Sequence, residues 1–416
     1  MGDGHRIARN SIFLFALTFS NYFIGLLLFP FISRVLSVNS FGIVGFGMAY
    51  AMVFQSIVEF GFMISTTARI SRVRSDATKV SEAVTNTMLA KGILLFISTL
   101  IFILSAPFVQ MVRDHLLVMS LFFLSAATAA MVPDFYFRGM EQMQSIATRA
   151  IAARSLSIVI VLALVRGDHE LAAVPMSLLA SNLVAVLWAF MKMRRLGFRF
   201  SQPSIGGAIV YLKESFMYFL SRVSATINQS MGAFTLGLVH TGPSYEMGVY
   251  SAAWRVSSAG EMMLLPVSDS LYPHMINKRD YRLFWRVYFP GLVLWFLGCA
   301  FVFIFASSIC SILLGPQYAS AGAALRILLF GCFMAFSSNM FGYNALAPIG
   351  LARHANFSLI LSVSLNAVAM LTLFALNKAT LTSICTVVTL SNLVIFAYRF
   401  SVFMANKDLA LSANNK

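Results

Sequence analysis

Twelve apolar runs succeed one another along this chain of 416 residues, each near the roughly 20 residues that a helix needs to cross a bilayer core. They fall at about 11–33, 41–66, 84–106, 115–137, 146–165 and 171–191, then at 214–239, 245–272, 287–314, 320–347, 354–376 and 379–403. With 59% hydrophobic residues, 11% charged residues and a mean hydropathy of +0.81, the chain has too little polar surface to clothe a soluble globule. The sequence therefore predicts an all-α polytopic membrane protein of about twelve transmembrane helices. The first run is too long for a signal-peptide core and no small-residue cleavage site follows it, so it is read as a retained span.

Between the sixth and seventh runs lies a bridge over 192–213, carrying Lys192, Arg194, Arg195, Arg199 and Lys213 with no acid among them. It separates an amino-terminal half, 1–191, from a carboxy-terminal half, 214–416. The other basic clusters fall on the same set of alternating loops: Arg6 and Arg9; Arg69, Arg72, Arg74 and Lys79; Arg138, Arg149 and Arg154; Lys278, Arg279, Arg282 and Arg286; Arg353; Arg399, Lys407 and Lys416. Only Arg34, Arg113, Arg166 and Lys378 fall on the opposite set. Lys and Arg accumulate in loops that stay in the cytoplasm, so both termini and the bridge are expected inside. The net charge of +15 belongs to this face, and no nucleic-acid partner is expected.

The two halves read as copies. A shift of 204 positions sets Ser11 on Ser215, Phe15 on Phe219, Ser40 on Ser244, Phe41 on Tyr245, Ala49 on Ala253, Tyr50 on Trp254, Arg74 on Lys278 and Asp76 on Asp280 without a gap. Six spans per copy is an even number, so both copies insert the same way up. The expected architecture is two six-helix bundles related by a pseudo-two-fold axis along the membrane normal, with a substrate cleft between them.

Chemistry-bearing motifs are scarce. No GxxxxGK[ST] is present, and Gly42, Gly45 and Gly47 follow no strand, so they read as helix-packing positions. The six histidines sit at span ends or in loops, and the four cysteines lie in apolar runs at unrelated spacings. No metal centre, cofactor or disulfide framework is expected. Outer loops are too short for a catalytic domain, and the chain is not read as an enzyme.

What remains is ionisable residues at membrane depth, each costing about 3 kcal/mol at a helix centre unless paired or hydrated. On the seventh span Arg222, Thr226 and Gln229 share one helical stripe; on the eighth, Ser251, Arg255 and Ser258 do. Continued at 100° per residue, the eighth span brings Asp269 back towards Arg255 and turns Glu261 away. These stripes read either as the lining of a wet cationic cavity or as a buried ion pair such as Arg222 with Glu261. Lys91 in the third span and Arg326 in the tenth are further cationic candidates, each with a snorkelling alternative. Substrate-binding candidates are thus Arg222, Arg255, Lys91, Arg326, Gln229 and Ser258; the acids for ion coupling are Asp269, Glu261, Asp134 and Glu59.

One stretch carries a family resemblance. Val132-Pro133-Asp134-Phe135-Tyr136-Phe137-Arg138-Gly139-Met140-Glu141-Gln142-Met143 resembles the Pro-x-Trp-Tyr-Phe-Gln-Gly-x-Glu-x-Met signature of Wzx-type polysaccharide flippases. These are O-antigen and exopolysaccharide translocases of the multidrug/oligosaccharidyl-lipid/polysaccharide exporter superfamily. Pro30 to Leu36 before Phe41-Gly42, Glu59 to Phe62 with Thr67-Ala68-Arg69, and Gly248 to Ala253 agree with it. Asp134 stands where the signature has Trp and Arg138 where it has Gln. The residues read without the family as a tight exit from the fourth span.

The resemblance implies two six-helix lobes around a cavity that opens alternately to each side, in a bacterial inner membrane. The implied cargo is an oligosaccharide unit on a polyprenyl pyrophosphate, with membrane lipids, a polysaccharide polymerase and a chain-length regulator as partners. The residues suit such a cargo: guanidinium groups bind phosphate oxygens bidentately, and Asn21, Gln55, Asn182, Asn228, Asn339, Asn344 and Asn366 offer amides to sugars or to neighbouring helices. A cation-coupled multidrug antiporter of the same superfamily is the alternative, and should have an acid-lined cavity. A membrane-embedded polymerase or acyltransferase should show a large outer loop or a deep histidine.

Overall fold

The computed structural model describes residues 28–239 and 245–408. Most of the first expected span, with Arg6, Arg9 and Asn21, and also His240 and Lys416, lie outside the described residues. Every regular element among them is helical, as the all-α expectation required. The helices are α1 (28–35), α2 (Val38–Glu59), α3 (Phe62–Val73), α4 (Ala77–Ser105), α5 (Gln110–Asp114), α6 (Leu116–Ala130), α7 (Asp134–Gly139), α8 (Met143–Leu164) and α9 (Ala173–Arg195). They continue with α10 (Ile205–Val239), α11 (Tyr245–Met262), α12 (Leu265–Lys278), α13 (Tyr281–Ile304), α14 (Ala306–Leu314), α15 (Ala321–Asn339), α16 (Ala352–Ala375) and α17 (Leu381–Ala405). A wider turn over Met340–Asn344 extends α15.

Nine described helical stretches are long and apolar enough to cross a membrane, matching the second to sixth and ninth to twelfth expected spans. This is a multi-pass membrane protein. The seventh and eighth positions are held by α10 and by α11 with α12. These carry the polar stripes with Arg222 and Arg255 and are less apolar for that reason.

The chain divides into two compact units. Residues 28–40 and 47–226 form one, and residues 41–46, 227–239 and 245–408 the other. In the first, Phe62, Ile70, Val84, Phe135, Phe137, Ile146 and Ala189 are among the side chains of one buried apolar cluster. In the second, Leu271, Met275, Tyr281, Phe284, Phe341 and Phe403 anchor another. The glycines at the start of α2 serve close packing: a Cβ on Gly42 would stand 2.8 Å from the Gly248 nitrogen, and one on Gly45 would collide with Ser251. Small residues let helix backbones approach in this way.

The element order repeats at the 204-residue shift. In the first unit α2 breaks at Phe60 and Gly61, both left-handed (φ 44° and 74°), before α3 resumes the span. In the second, α11 stops at Met262 and α12 starts at Leu265, with Pro266 in its first turn. Helices α4 and α13 start 204 residues apart, each behind an aspartate cap: Asp76 accepts from the Thr78 and Lys79 nitrogens at 3.1 Å, Asp280 from the Leu283 nitrogen at 3.0 Å. Those N–H groups, the Lys79 and Leu283 ones foremost, hold both carboxyls below the usual carboxylate range. The α6–α9 and α8–α9 packings of the first unit recur as α15–α17 and α16–α17 in the second.

One geometric expectation is corrected. Both broken spans were read as continuous helices; the left-handed pair at Phe60–Gly61 and the break at Met263–Leu264 interrupt them, because neither a left-handed residue nor a proline sustains an α-helix. The bridge over 192–213 is helical to Arg195 and again from Ile205 onwards. Gly61 has no room for a side chain, since a Cβ there would lie 2.7 Å from Tyr218 Cβ and 2.9 Å from the Phe219 nitrogen. Gly61→Val adds a clash to a conformation that L-residues avoid, and is expected to cost about 2–4 kcal/mol, read as a lower thermal midpoint in detergent.

Candidate functional site

The first unit gathers charges from five helices around the point where the fourth span breaks. Helix α6 ends at Ala130 because Pro133 cannot continue it, and α7 starts on Asp134. The carbonyl of Ala130, freed by that break, accepts a 2.6 Å hydrogen bond from Lys91 Nζ on α4. Lys91 is 3% exposed and its ammonium lies 5.1 Å from the centre of the Phe135 ring. It does not snorkel. Burial of a cation without compensation is costly, and here a carbonyl, a ring face and two nearby carboxylates supply that compensation.

Asp134 and Glu59 are those carboxylates. Both oxygens of Asp134 lie 2.7 Å from Arg149 Nη2 on α8, a pair with side chains 18% and 9% exposed. The Arg149 Nε is buried with no partner among the described residues. Glu59, the last residue of α2, accepts from Gln55 Nε2 at 2.8 Å and pairs with Arg222 Nη2 of α10 at 3.3 Å. A cavity of about 40 Å³ lies among Glu59, Lys91, Asp134, Val132 and Phe135, room for one or two waters or a small cation. Four cations, Lys91, Arg138, Arg149 and Arg222, stand beside Asp134 and Glu59, and half of the Arg222 side chain is exposed. The arrangement can offer a guanidinium to an anionic group while retaining Glu59 as an exchangeable counter-ion.

The remaining candidates sit in the second unit. Arg255 is partly exposed on α11, and Ser258 Oγ, one turn later, donates to the Arg255 carbonyl at 3.2 Å. Glu261 accepts from Asn392 Nδ2 at 3.4 Å, so the pairing of Arg222 with Glu261 raised by the sequence is not formed; Arg222 takes Glu59. Asp269 is exposed on α12, beyond the break, and the helical count that returned it to the face of Arg255 does not apply. Gln229 is exposed on α10. Arg326 Nε donates to the Phe303 carbonyl at 3.1 Å with its guanidinium 5.9 Å from that ring. Several amides serve helix packing: Asn366 donates to Asn228, Asn182 to Ser125 and Asn344 to Ser268.

Sequence reasoning passed over two buried cations that it had assigned to cytoplasmic loops, Arg149 and Arg399. The one available signal for Arg149 was Asp134 itself, an acid in an apolar signature that needs a cation nearby. Arg399 has no such signal: it is 6% exposed and donates to the Ser338 and Ala355 carbonyls at 2.7 and 2.9 Å and to Ser358 Oγ at 2.9 Å. It satisfies the end of α15, where Gly342 leaves helical geometry, as Lys91 does the end of α6.

Among known proteins, a protein of Escherichia coli (strain K12) named "Putative O-antigen transporter" is 26% identical over 346 residues, 81% of this chain and 82% of its own. A protein of the same name from Shigella dysenteriae is 21% identical over 280 residues, 66% of this chain and 68% of its own. Among solved structures, the lipid II flippase MurJ in an inward closed conformation aligns with a TM-score of 0.70 at 13% identity, covering 97% of this chain and 90% of that one. An inward-facing multidrug resistance transporter of the MATE family and MOP superfamily aligns with a TM-score of 0.65 at 16% identity, covering 94% and 96%. The fold is thus the one those two transporters share, and the signature read at Val132–Met143 falls within the stretch, residues 7–278, that matches the polysaccharide biosynthesis protein family. By that match and by its helical plan, the chain belongs to the polysaccharide biosynthesis protein family.

Proposed function

We propose that this chain is a flippase that moves polyprenyl-pyrophosphate-linked oligosaccharide units from the inner to the outer leaflet of a bacterial inner membrane. The observation that carries the reading is the half-exposed Arg222 leaning on Glu59 at the edge of a buried cluster in which cations outnumber anions. The names of the curated relatives, both O-antigen transporters, support the cargo class.

The mechanism follows from counter-ion exchange. A diphosphate offers more oxygens and more charge than a carboxylate, so it competes with Glu59 for Arg222 and binds bidentately. Glu59, displaced, is left beside Lys91 and the small cavity, where a proton or cation can neutralise it. Asp134 is held by Arg149, which makes Glu59 the acid of choice for coupling. Arg255, with Ser258 beside it, is a second anion-binding position, and Lys91, Arg326, Gln229, Asp269 and Glu261 are secondary candidates. The halves 1–191 and 214–416 act as the two lobes that expose the cargo to each side in turn, with residues 214–226, Arg222 among them, belonging to the first compact unit and both termini cytoplasmic. An inside-negative potential favours outward movement of an anion by about 2.3 kcal/mol per charge per 100 mV. A polysaccharide polymerase and a chain-length regulator would receive the exported unit.

The test is complementation of a strain lacking its own O-antigen flippase. Arg222→Gln is expected to cut surface glycan at least tenfold, with lipid-linked units accumulating inside and normal amounts of protein in the membrane, and Arg255→Gln to act in the same direction. Export at the wild-type level by both variants overturns the assignment. The multidrug antiporter reading is favoured instead if cationic drugs are extruded and Glu59→Gln, not Arg222→Gln, abolishes activity.

A further inference from the structure

The first unit holds a second, larger pocket away from the Arg222 cluster, at the end of the chain's helices where the basic loops gather. It measures about 380 Å³, within the range of small-molecule sites. Its walls are the start of α4, the turn of α7 and the connection between α9 and α10. That connection is strapped to one face of α4: Ser81 Oγ donates to the Arg199 carbonyl, the Ser201 nitrogen donates to Thr85 Oγ1 at 3.0 Å, and the Ser204 nitrogen to Asn86 Oδ1 at 3.1 Å.

Comparison of the two repeats explains why the space is open. At the 204-residue shift Ala77 corresponds to Tyr281 and Ser81 to Trp285. In the second unit Tyr281 is 3% exposed, donates to the Ala345 carbonyl at 2.8 Å and lies 5.8 Å from the Phe403 ring; Trp285 lies 5.9 and 6.2 Å from the Phe341 and Phe403 rings. One copy of the fold fills this corner with aromatic rings. The other stands small residues there and keeps a pocket of several hundred cubic ångströms, although filling it would bury more apolar surface.

The lining is rich in donors. Arg74 and Arg199 both face it, and no aspartate or glutamate lines it. Arg74 is paired with Glu141, an exposed partner that an anion can displace. The Ser201 hydroxyl lines the pocket and is itself buried with no hydrogen-bond partner among the described residues; buried polar groups are seldom left so. Tyr136, from the signature segment, forms one wall and stands edge-on to Phe198, 5.5 Å between centroids. Two arginines, the unpartnered Ser201 hydroxyl and an aromatic wall suit a phosphate-type anion with an organic substituent.

We propose that this pocket binds a pyrophosphate group at the basic, cytoplasmic end of the first half, ahead of and separate from Arg222. The group can come from the polyprenyl pyrophosphate headgroup of the cargo or from free pyrophosphate; only the first source rests on the flippase reading.

The experiment uses the full chain in lipid nanodiscs and two probes, inorganic pyrophosphate and a sugar-free polyprenyl pyrophosphate. The variants are Arg199→Gln, on the exposed connection, and Ser81→Trp, which copies the filling used by the sister repeat. Both variants are expected to weaken binding of at least one probe tenfold or more, Arg199→Gln with an unchanged thermal midpoint. Loss for the lipid probe alone assigns the pocket to the cargo; loss for inorganic pyrophosphate alone assigns it to the soluble anion. Wild-type affinity of both variants for both probes overturns the site. Should Ser81→Trp fail to fold, Arg199→Gln decides by the same criterion. If the pocket variants bind normally while Arg222→Gln still blocks export, the pocket falls and the flippase stands; if the pocket binds and the chain exports no glycan, the reverse holds.

Discussion

Arg149→Met is expected to lower stability by about 3–5 kcal/mol, among the largest effects of any single substitution outside the apolar cores. The guanidinium is 9% exposed and sits 2.7 Å from both oxygens of Asp134, so its removal leaves a buried carboxylate with Lys91 and Arg138 as its remaining neighbours of opposite charge. Breaking a buried pair by removing one partner costs this much because the desolvated charge remains, whereas replacing both partners is close to neutral. Asp134→Leu with Arg149→Met should therefore recover most of the loss. Thermal unfolding of the purified protein in detergent checks the pair. A single variant as stable as wild type would show that Asp134 finds another partner, and would remove the electrostatic account of the break after α6.

Arg399→Met is the second large effect, expected at about 2–5 kcal/mol. No acid is involved here. The guanidinium serves the Ser338 and Ala355 carbonyls and Ser358 Oγ; the Ala355 carbonyl keeps Ser358 Oγ as a donor at 2.8 Å, and a buried acceptor that is left without one costs about 1–3 kcal/mol. The Nη1 atom also lies 2.9 Å from where a Cβ on Gly342 would stand, so the arginine fits a gap that the glycine creates. Arg399→Lys should restore part of the loss, since one ammonium cannot reach all three acceptors. The readout is the thermal midpoint together with proteolysis at the Met340–Asn344 turn. Equal protection of Arg399→Met and wild type would mean that water replaces the guanidinium.

Lys91 and Arg399 together show how the two repeats meet one problem. In each, regular helical geometry gives way before the fourth span is complete, after Ala130 in one and at the Met340–Asn344 turn in the other. The carbonyls freed there lie at membrane depth, where backbone groups must be satisfied internally. A long cationic side chain from another helix does this in both cases, but from different helices, α4 in the first and α17 in the second. The duplication preserved the break and not the residue that seals it.

Much was legible from residues alone. Apolar runs located the spans, and the spacing of Arg74 and Asp76 against Lys278 and Asp280 gave the repeat that α4 and α13 obey to the residue. Lys91, Glu59, Asp134 and Arg222 were singled out one by one as charges in hydrocarbon. That the first three line one cavity, with Arg222 paired to Glu59 beside it, was not legible. Lys91 and its acceptor are 39 residues apart, and Arg222 and Glu59 lie on the seventh and second expected spans; no periodicity links such pairs. The helical count that joined Arg255 to Asp269 does not carry across the break between α11 and α12, because a count assumes an unbroken helix.

The sequence by itself determined that this chain is helical, lies in a membrane, is duplicated and carries cations at depth, because apolarity, helical period and charge are properties of short stretches. Only the tertiary structure decided which carboxylate answers each cation, where the spans break and which corner of a repeat stays open. Those are settled by the packing of distant segments, where Tyr281 and Trp285 fill a corner that Ala77 and Ser81 leave open in the other repeat.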